Sequence, residues 1–441
     1  MREAIVPSLA TLALKLKSEV SLATNRKLIR QSLIDAIAAA VAGYDSPVAS
    51  IAMKFARSGL GSGSVTPWLF EGETVTPAGA AFVNSSVMSA LDIDDGNRAA
   101  RGHLGAAIVP AASVFGATGN ISAETFAHAV LAGCEIGARL GAAESRPFFA
   151  SGRWAGVGAA IATAICLGFD RDQLANAIAL AVHTAPLVAP AGARSAMTGH
   201  IKEGVPFGLL SGVTAALLAH EGYRGDPDAI ESVGIYDIEQ LANYPATTFA
   251  FKRTYFKRYT CCRLAHAPID AALAIVKRER LLIQDIESVT VRTFRTAIEL
   301  PNETRPVSFE SAQYSLPFAI AVALLGGADA LLPLSNDALA DRHVASLAER
   351  IVLEHDPTLD AFYPLSTPTE VCVKTRNGSE FVEWRKTADG DPDQPFSDNQ
   401  LIGKVRTLAS GKISADRLAT IITSIELGIP SAKDFETALR R

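Results

Sequence analysis

Residues 91–105, LDIDDGNRAARGHLG, gather three aspartates, two arginines and one histidine between two runs of small apolar residues. Carboxylates beside an imidazole are the makings of a proton-transfer site. If residues 80–92 form a helix, Asp92, Asp94 and Asp95 fall at its C-terminal end, where the helix dipole disfavours anions. Carboxylates in that place need specific partners. The plainer alternative is a solvated loop with His103 opening the next helix.

Three further clusters could do chemistry. MTGHIKEGVPFGLLSG, residues 197–212, sets His200 and Lys202 just ahead of a very apolar helix. Burial there would lower the pKa of Lys202 toward base chemistry, a charged Lys202 would hold a carboxylate, and a surface one would merely snorkel. YFKRYTCCRLAHAPIDA, residues 255–271, packs Lys257, Arg258, Cys261, Cys262, Arg263 and His266 closely together. Arginine grips carboxylates in bidentate fashion, and a thiol among cations has a lowered pKa, although a small buried core residue is the commoner fate of cysteine. Tyr314, in SAQYSLPF, opens another apolar segment and reads as core or as a site hydroxyl according to its partners.

The elements that must position these residues are mostly helical up to about residue 255. NRKLIRQSLIDAIAAAVAGY is helix-periodic and ends near Gly43. Ser122 and Asp170 stand where helix N-caps belong. The texture then changes: ESVTVRTF alternates like a strand, and TEVCVKTRNGSEFVEWRK reads as a hairpin turning at Asn377-Gly378. SAQYSLPFAIAVALLGG between them reads as one buried helix, and the tail after 395 returns to helical spacing. The expected fold is mainly α, a large all-α helical domain over 1–255 completed by 396–441, with a smaller α+β domain over 256–395.

Several functions are disfavoured. A net charge of −5 without a basic block makes nucleic acid an unfitting partner, and no uninterrupted apolar run reaches the roughly 18 residues of a membrane span. Five cysteines without framework spacing fit reduced thiols and a cytoplasmic location. GRWAGVGAAI departs from the dinucleotide-binding spacing and reads as close helix packing. No P-loop, zinc-protease or serine-hydrolase motif is present.

The clusters, in this order, resemble the MmgE/PrpD family: LDIDD, His103 and IVPAA, then AICLGFDRDQLANAIALA, HIKEGVPFGLLSGVTAALLAHEGYRGD, KRYTCCRLAHAPIDAALAI and AQYSLPFAIA. The resemblance implies a helical domain with a lid domain, no metal or organic cofactor, a homodimer, and a small polycarboxylate substrate. It implies His103, Lys202 and Lys257 as catalytic groups. Asp92, Arg263, His266, Cys262 and Tyr314 would bind substrate. One departure is Phe149, which stands where dehydratase and decarboxylase members carry a histidine; Cys262 replaces another histidine of the decarboxylases. With fewer imidazoles to protonate a leaving group, the sequence favours an epimerase of the iminodisuccinate type, His103 opposing a lysine across the carbon. The alternatives are a 2-methylcitrate-type dehydratase, a cis-aconitate-type decarboxylase, and an inactive member serving as a binding protein.

Overall fold

Helices start where the sequence supplies caps. The side chains of Ser18, Ser46, Thr76, Ser122 and Asp170 each accept a backbone N–H of the first turn that follows. In the computed structural model, which describes residues 4–145, 151–186, 197–245 and 248–440, the first half comprises α1 (Ile5–Lys15), α2 (Glu19–Gly43), α3 (Pro47–Gly59), α4 (Pro77–Ser89), α5 (Gly105–Thr118), α6 (Ala123–Ala143), α7 (Ser151–Cys166), α8 (Arg171–Thr184) and α9 (Val205–His220). The protein is mainly α with a small sheet region. Among the described residues no single helix is long and apolar enough to cross a membrane. Phe149 lies outside the described residues.

The α7–α9 contact explains GRWAGVGAAI. A Cβ on Gly208 would lie 1.9 Å from the carbonyl oxygen of Gly152, and one on Gly212 would lie 1.9 Å from that of Gly156. Only glycine allows these backbones to touch. The contact sets the start of α7 beside the turn that opens α9, where the Gly152 N–H donates to the Glu203 carbonyl at 3.0 Å.

Buried apolar side chains form two clusters. One draws on residues from Ile5 to Phe256 and again from Phe396 to Leu439; the other runs from Tyr259 to Val373 and includes Met197. The second cluster packs α10 (His266–Glu279) and α11 (Leu316–Gly326) beside a sheet of order β4-β3-β5-β6, with β3 Ile286–Thr293, β4 Ile351–His355, β5 Thr369–Thr375 and β6 Glu380–Arg385. β3 pairs parallel with β4 and antiparallel with β5, and Gly378, at φ +88°, turns the β5–β6 hairpin. β4 is the strand the sequence reading missed, since IVLEH is too short to show a period. The tail adds α12 (Asp398–Ala409), α13 (Ala415–Glu426) and α14 (Ala432–Leu439), which pack into the first cluster.

The chain passes between the clusters beside residues 91–105. There β1 (Gly96–Asn97) pairs antiparallel with β2 (Thr254–Tyr255), and the Phe256 N–H donates to Gly390 on the return crossing at 3.0 Å. Two expectations change. α4 stops at Ser89, short of the expected end at 92, and Asp92 follows in the left-handed region at φ +53°. The expected helix through Tyr314 breaks into Phe309–Gln313 and α11, because Ser315 caps α11 and Pro317, lacking an N–H, belongs in a first turn. Tyr314 sits in that break.

Candidate active site

Three of the four clusters converge on one cavity between the two cores, lined by Asp92, His103, Lys257, Cys262, Arg263 and Tyr314, together with Arg98, Arg101, Glu203, Tyr255 and Tyr363. Its lining is rich in fixed positive charge: Arg98, Arg101, Lys257 and Arg263 against the carboxylates of Asp92 and Glu203.

His103 is the best-defined group. Its Nδ1–H donates to the Asp95 carbonyl at 2.7 Å, with the Asp94 carboxylate at 3.0 Å. Its Nε2 lies 3.5 Å from Asp92 Oδ1 and 3.7 Å from Glu203 Oε1, longer than a good hydrogen bond. Burial works against charge on this ring, but Asp94 and Glu203 outweigh it over the opposition of Lys257, and the pKa is raised to about 9. At neutral pH His103 is therefore an imidazolium whose Nε2–H faces the cavity.

The aspartates divide the work of holding it. Asp95 accepts the Gly105 N–H at the start of α5 at 2.8 Å, and burial with Asp35 nearby pushes its pKa to about 7. Burial alone would raise Asp94 too, but His103, Lys257 and Lys202 hold it below the ordinary carboxylate range. Asp92 is engaged by Lys257, whose Nζ donates to its carbonyl at 2.8 Å and lies 3.1 Å from Oδ2. Burial disfavours the Lys257 charge, yet Asp92 and Asp94 keep its pKa well above the ordinary lysine value.

Lys202, from the remaining cluster, does not line this cavity; it borders an adjoining pocket that shares Asp92, His103, Glu203 and Tyr314. Its Nζ donates to the Ser89 and Ala90 carbonyls, both at 2.8 Å, and to Gln313 Oε1 at 2.5 Å. A lysine thus caps the C-terminal carbonyls of α4 and pins the broken helix that carries Tyr314. Burial lowers its pKa, and Asp92, Asp94 and Glu310 do not restore it.

His266 is absent from the cavity lining and lies one layer behind. Arg263 Nη1 approaches its Nδ1 at 3.3 Å, and its Nε2 lies 3.3 Å from the Cys261 carbonyl. That network puts the proton on Nε2, and burial with Arg263 beside it lowers the pKa well below the ordinary histidine value. The physical reason is its place at the start of α10, where it packs on Tyr259 at a ring separation of 4.9 Å. Cys262 lines the cavity as a thiol, its pKa pushed by burial to about 12. The Tyr314 hydroxyl has no hydrogen-bond partner among the described residues, and burial raises its pKa well above the ordinary value.

Sequence reasoning missed Glu203, the role of Arg98, and Asp391. Arg98 Nε and Nη2 donate to Asp391 at 2.7 and 2.6 Å, and Arg263 Nη2 lies 2.9 Å from the same carboxylate. Burial would raise Asp391, but the two guanidiniums hold it low. Both guanidinium carbons lie over the Tyr255 ring, 4.8 and 4.9 Å from its centroid. Asp92, Asp94 and His103 offer ligand atoms within 4.8 Å of one another, a spacing that could hold a metal ion. Here Lys257 and the charged His103 already neutralise those carboxylates, so the protein's own cations supply the positive charge.

Two models of known protein families together match nearly the whole chain. The MmgE/PrpD N-terminal domain family model matches residues 8–238, and the C-terminal domain model matches residues 259–427. The chain belongs to the MmgE/PrpD family. Among curated MmgE/PrpD relatives, it is 25% identical over 411 residues to a cis-aconitate decarboxylase of Aspergillus terreus, covering 83% of this chain and 81% of the relative. A cis-aconitate decarboxylase of Homo sapiens is 25% identical over 454 residues, covering 97% and 92%. One of Mus musculus is 24% identical, covering 90% and 86%. These MmgE/PrpD relatives are enzymes, and they are lyases.

Proposed function

We propose that this protein is a lyase that removes carbon dioxide from a small unsaturated polycarboxylate of the cis-aconitate type, without a metal or organic cofactor. The observation that carries the reading is the placing of His103, its Nε2 at the edge of a cationic cavity, 3.5 Å from Asp92 and 3.7 Å from Glu203, with Asp94 and Glu203 favouring its charged form. Breaking the carbon–carboxylate bond leaves its electron pair delocalised over the remaining carboxylate-conjugated system. Fixed cations stabilise that charge, a role open to Lys257, Arg98, Arg101 and Arg263. His103 then gives its Nε2 proton to carbon and is recharged from solvent, so that one proton is consumed and one carbon dioxide released per turnover.

The same geometry disfavours the epimerase read from the sequence. An epimerase needs an unprotonated base facing an acid across the carbon. Lys202 is turned away from the cavity onto two carbonyls and an amide oxygen, and Lys257 is held charged by Asp92. A decarboxylase needs only the acid. The lyase relatives support the same choice. We also propose a homodimer, because Ile51, Phe55, Ile201 and Phe207 stand partly exposed around an apolar cleft.

The test is proton NMR in D2O with cis-aconitate, 2-methylcitrate and an iminodisuccinate-type acid. The expected result is loss of cis-aconitate, release of carbon dioxide and one deuterium on the newly protonated carbon. Exchange at carbon without loss of carbon dioxide or water would overturn the proposal in favour of epimerisation, and water loss in favour of a dehydratase. No turnover of any of the three would leave only binding.

A further inference from the structure

Glu203 is a buried carboxylate without a dedicated cation. Its Oε2 accepts a short hydrogen bond from Ser151 Oγ, which in turn accepts the main-chain N–H of His103 at 2.9 Å. The only basic group within ion-pair distance of Glu203 among the described residues is His103, whose Nε2 is 3.7 Å from Oε1. The backbone is arranged to place it there. Lys202, at φ +42°, and Gly204, at φ +71°, flank it in the left-handed region, so consecutive side chains of one turn reach into different parts of the site. Gly102 completes the arrangement: a Cβ there would lie 2.0 Å from Ser151 Oγ and 3.0 Å from Glu203 Oε2.

The other charges around His103 are already committed. Asp94 and Asp95 stand on its Nδ1 side. Asp92 stands on the Nε2 side, but Lys257 holds both its carbonyl and its carboxylate, and Lys202 lies beyond. Glu203 offers this edge a carboxylate with no lysine or arginine within ion-pair distance among the described residues; burial raises its pKa, against which His103, the Ser151 hydrogen bond and the more distant Lys257 favour its ionised form. It also faces the cavity, where a negative charge works against an anionic substrate.

We propose that Glu203, fixed by Ser151, is the counter-ion on the Nε2 side of His103 that, beside Asp94 on the other side, keeps the ring charged into the alkaline range, sustaining proton delivery there while weakening substrate binding. Glu203 is a positioning residue that acts through the imidazolium. The proposal rests on His103 being the proton donor of the reading above.

Glu203→Gln keeps the Ser151 contact and removes the charge, and two measurements read the result. In the free protein, the histidine ring signal that disappears in His103→Gln is titrated by NMR; its apparent pKa is expected to fall by about one unit in Glu203→Gln. With cis-aconitate as substrate at pH about 10, above both pKa values, kcat is expected to fall by about tenfold, while near neutral pH it changes little; KM falls at both, because an anion has left an anion-binding cavity. A merely structural residue would lower kcat and raise KM together. Should Glu203→Gln fail to fold, Ser151→Ala is expected to move both readouts in the same directions by a smaller amount. An unshifted His103 titration, or a KM that rises as kcat falls, overturns the proposal. Because the titration needs no substrate, a shifted pKa without turnover of cis-aconitate supports the role of Glu203 and counts against the decarboxylase reading alone.

Discussion

Two buried lysines stand within one site, and their surroundings give them opposite characters. Lys202, on the turn before α9, is surrounded by neutral oxygens: two carbonyls from the end of α4 and one amide. Lys257, just past the crossing between the two cores, faces a carboxylate and its carbonyl. Both are buried, and burial disfavours both charges. It lowers the pKa of Lys202, whereas Asp92 and Asp94 raise that of Lys257. The lesson is that burial sets the cost of an ammonium group, and the charge of its partner decides whether it stays an ammonium. Lys202 holds secondary structure in place; Lys257 belongs to the charge balance of the cavity.

The strongest way to break this comparison is Lys257→Met. It leaves Asp92 as an uncompensated buried anion, and breaking such a pair costs about 3–5 kcal/mol. Urea unfolding should show that loss, with turnover falling at least as steeply. If Lys257→Met were as stable as the parent, the charge-balance role would be wrong. Lys202→Met should cost less, about 1–3 kcal/mol, the range for leaving buried carbonyls unsatisfied. Its kcat should fall mainly in proportion to the loss of folded protein. A large loss of kcat at unchanged stability would instead restore Lys202 as a base.

pH provides the next test. The His103 pKa is raised to about 9 from an unfolded value near 6.5. Its contribution to stability is fully present below pH about 6.5 and is lost as pH rises through about 9. If His103 is the acid, kcat/KM falls over the same alkaline range, and a rate that rises there would mark His103 as a base. The smallest effect is expected from the double variant Asp92→Asn, Lys257→Met. Removing both partners should bring stability back to within about 1 kcal/mol of the parent, with turnover still low.

Much of the site was legible along the chain because several of its groups are local. Asp92, Asp94, Asp95 and His103 fall within one short segment, as do Lys257, Cys262, Arg263 and His266, and their unusual density of polar groups marks them. The hairpin at Asn377-Gly378 and the caps at Ser122 and Asp170 were legible for the same reason, since turn and cap chemistry act over a few residues. What escaped depends on direction and distance. Glu203 adjoins Lys202, and only the left-handed turn shows that they serve different partners. Asp391 is 293 residues from Arg98, and nothing in either local sequence points to the other. His266 carries the family pattern, yet packing at the start of α10 sets it behind Arg263 and leaves it neutral.

The sequence by itself determined which residues are rare and expensive enough to need partners, where helices begin, and that the polar residues gather in a few short segments. Only the tertiary structure decided the protonation states. Those depend on which charges meet at 3–4 Å in a dry cavity. Through that meeting the pKa values of His103 and Lys257 rise, while that of Lys202 falls where it caps α4.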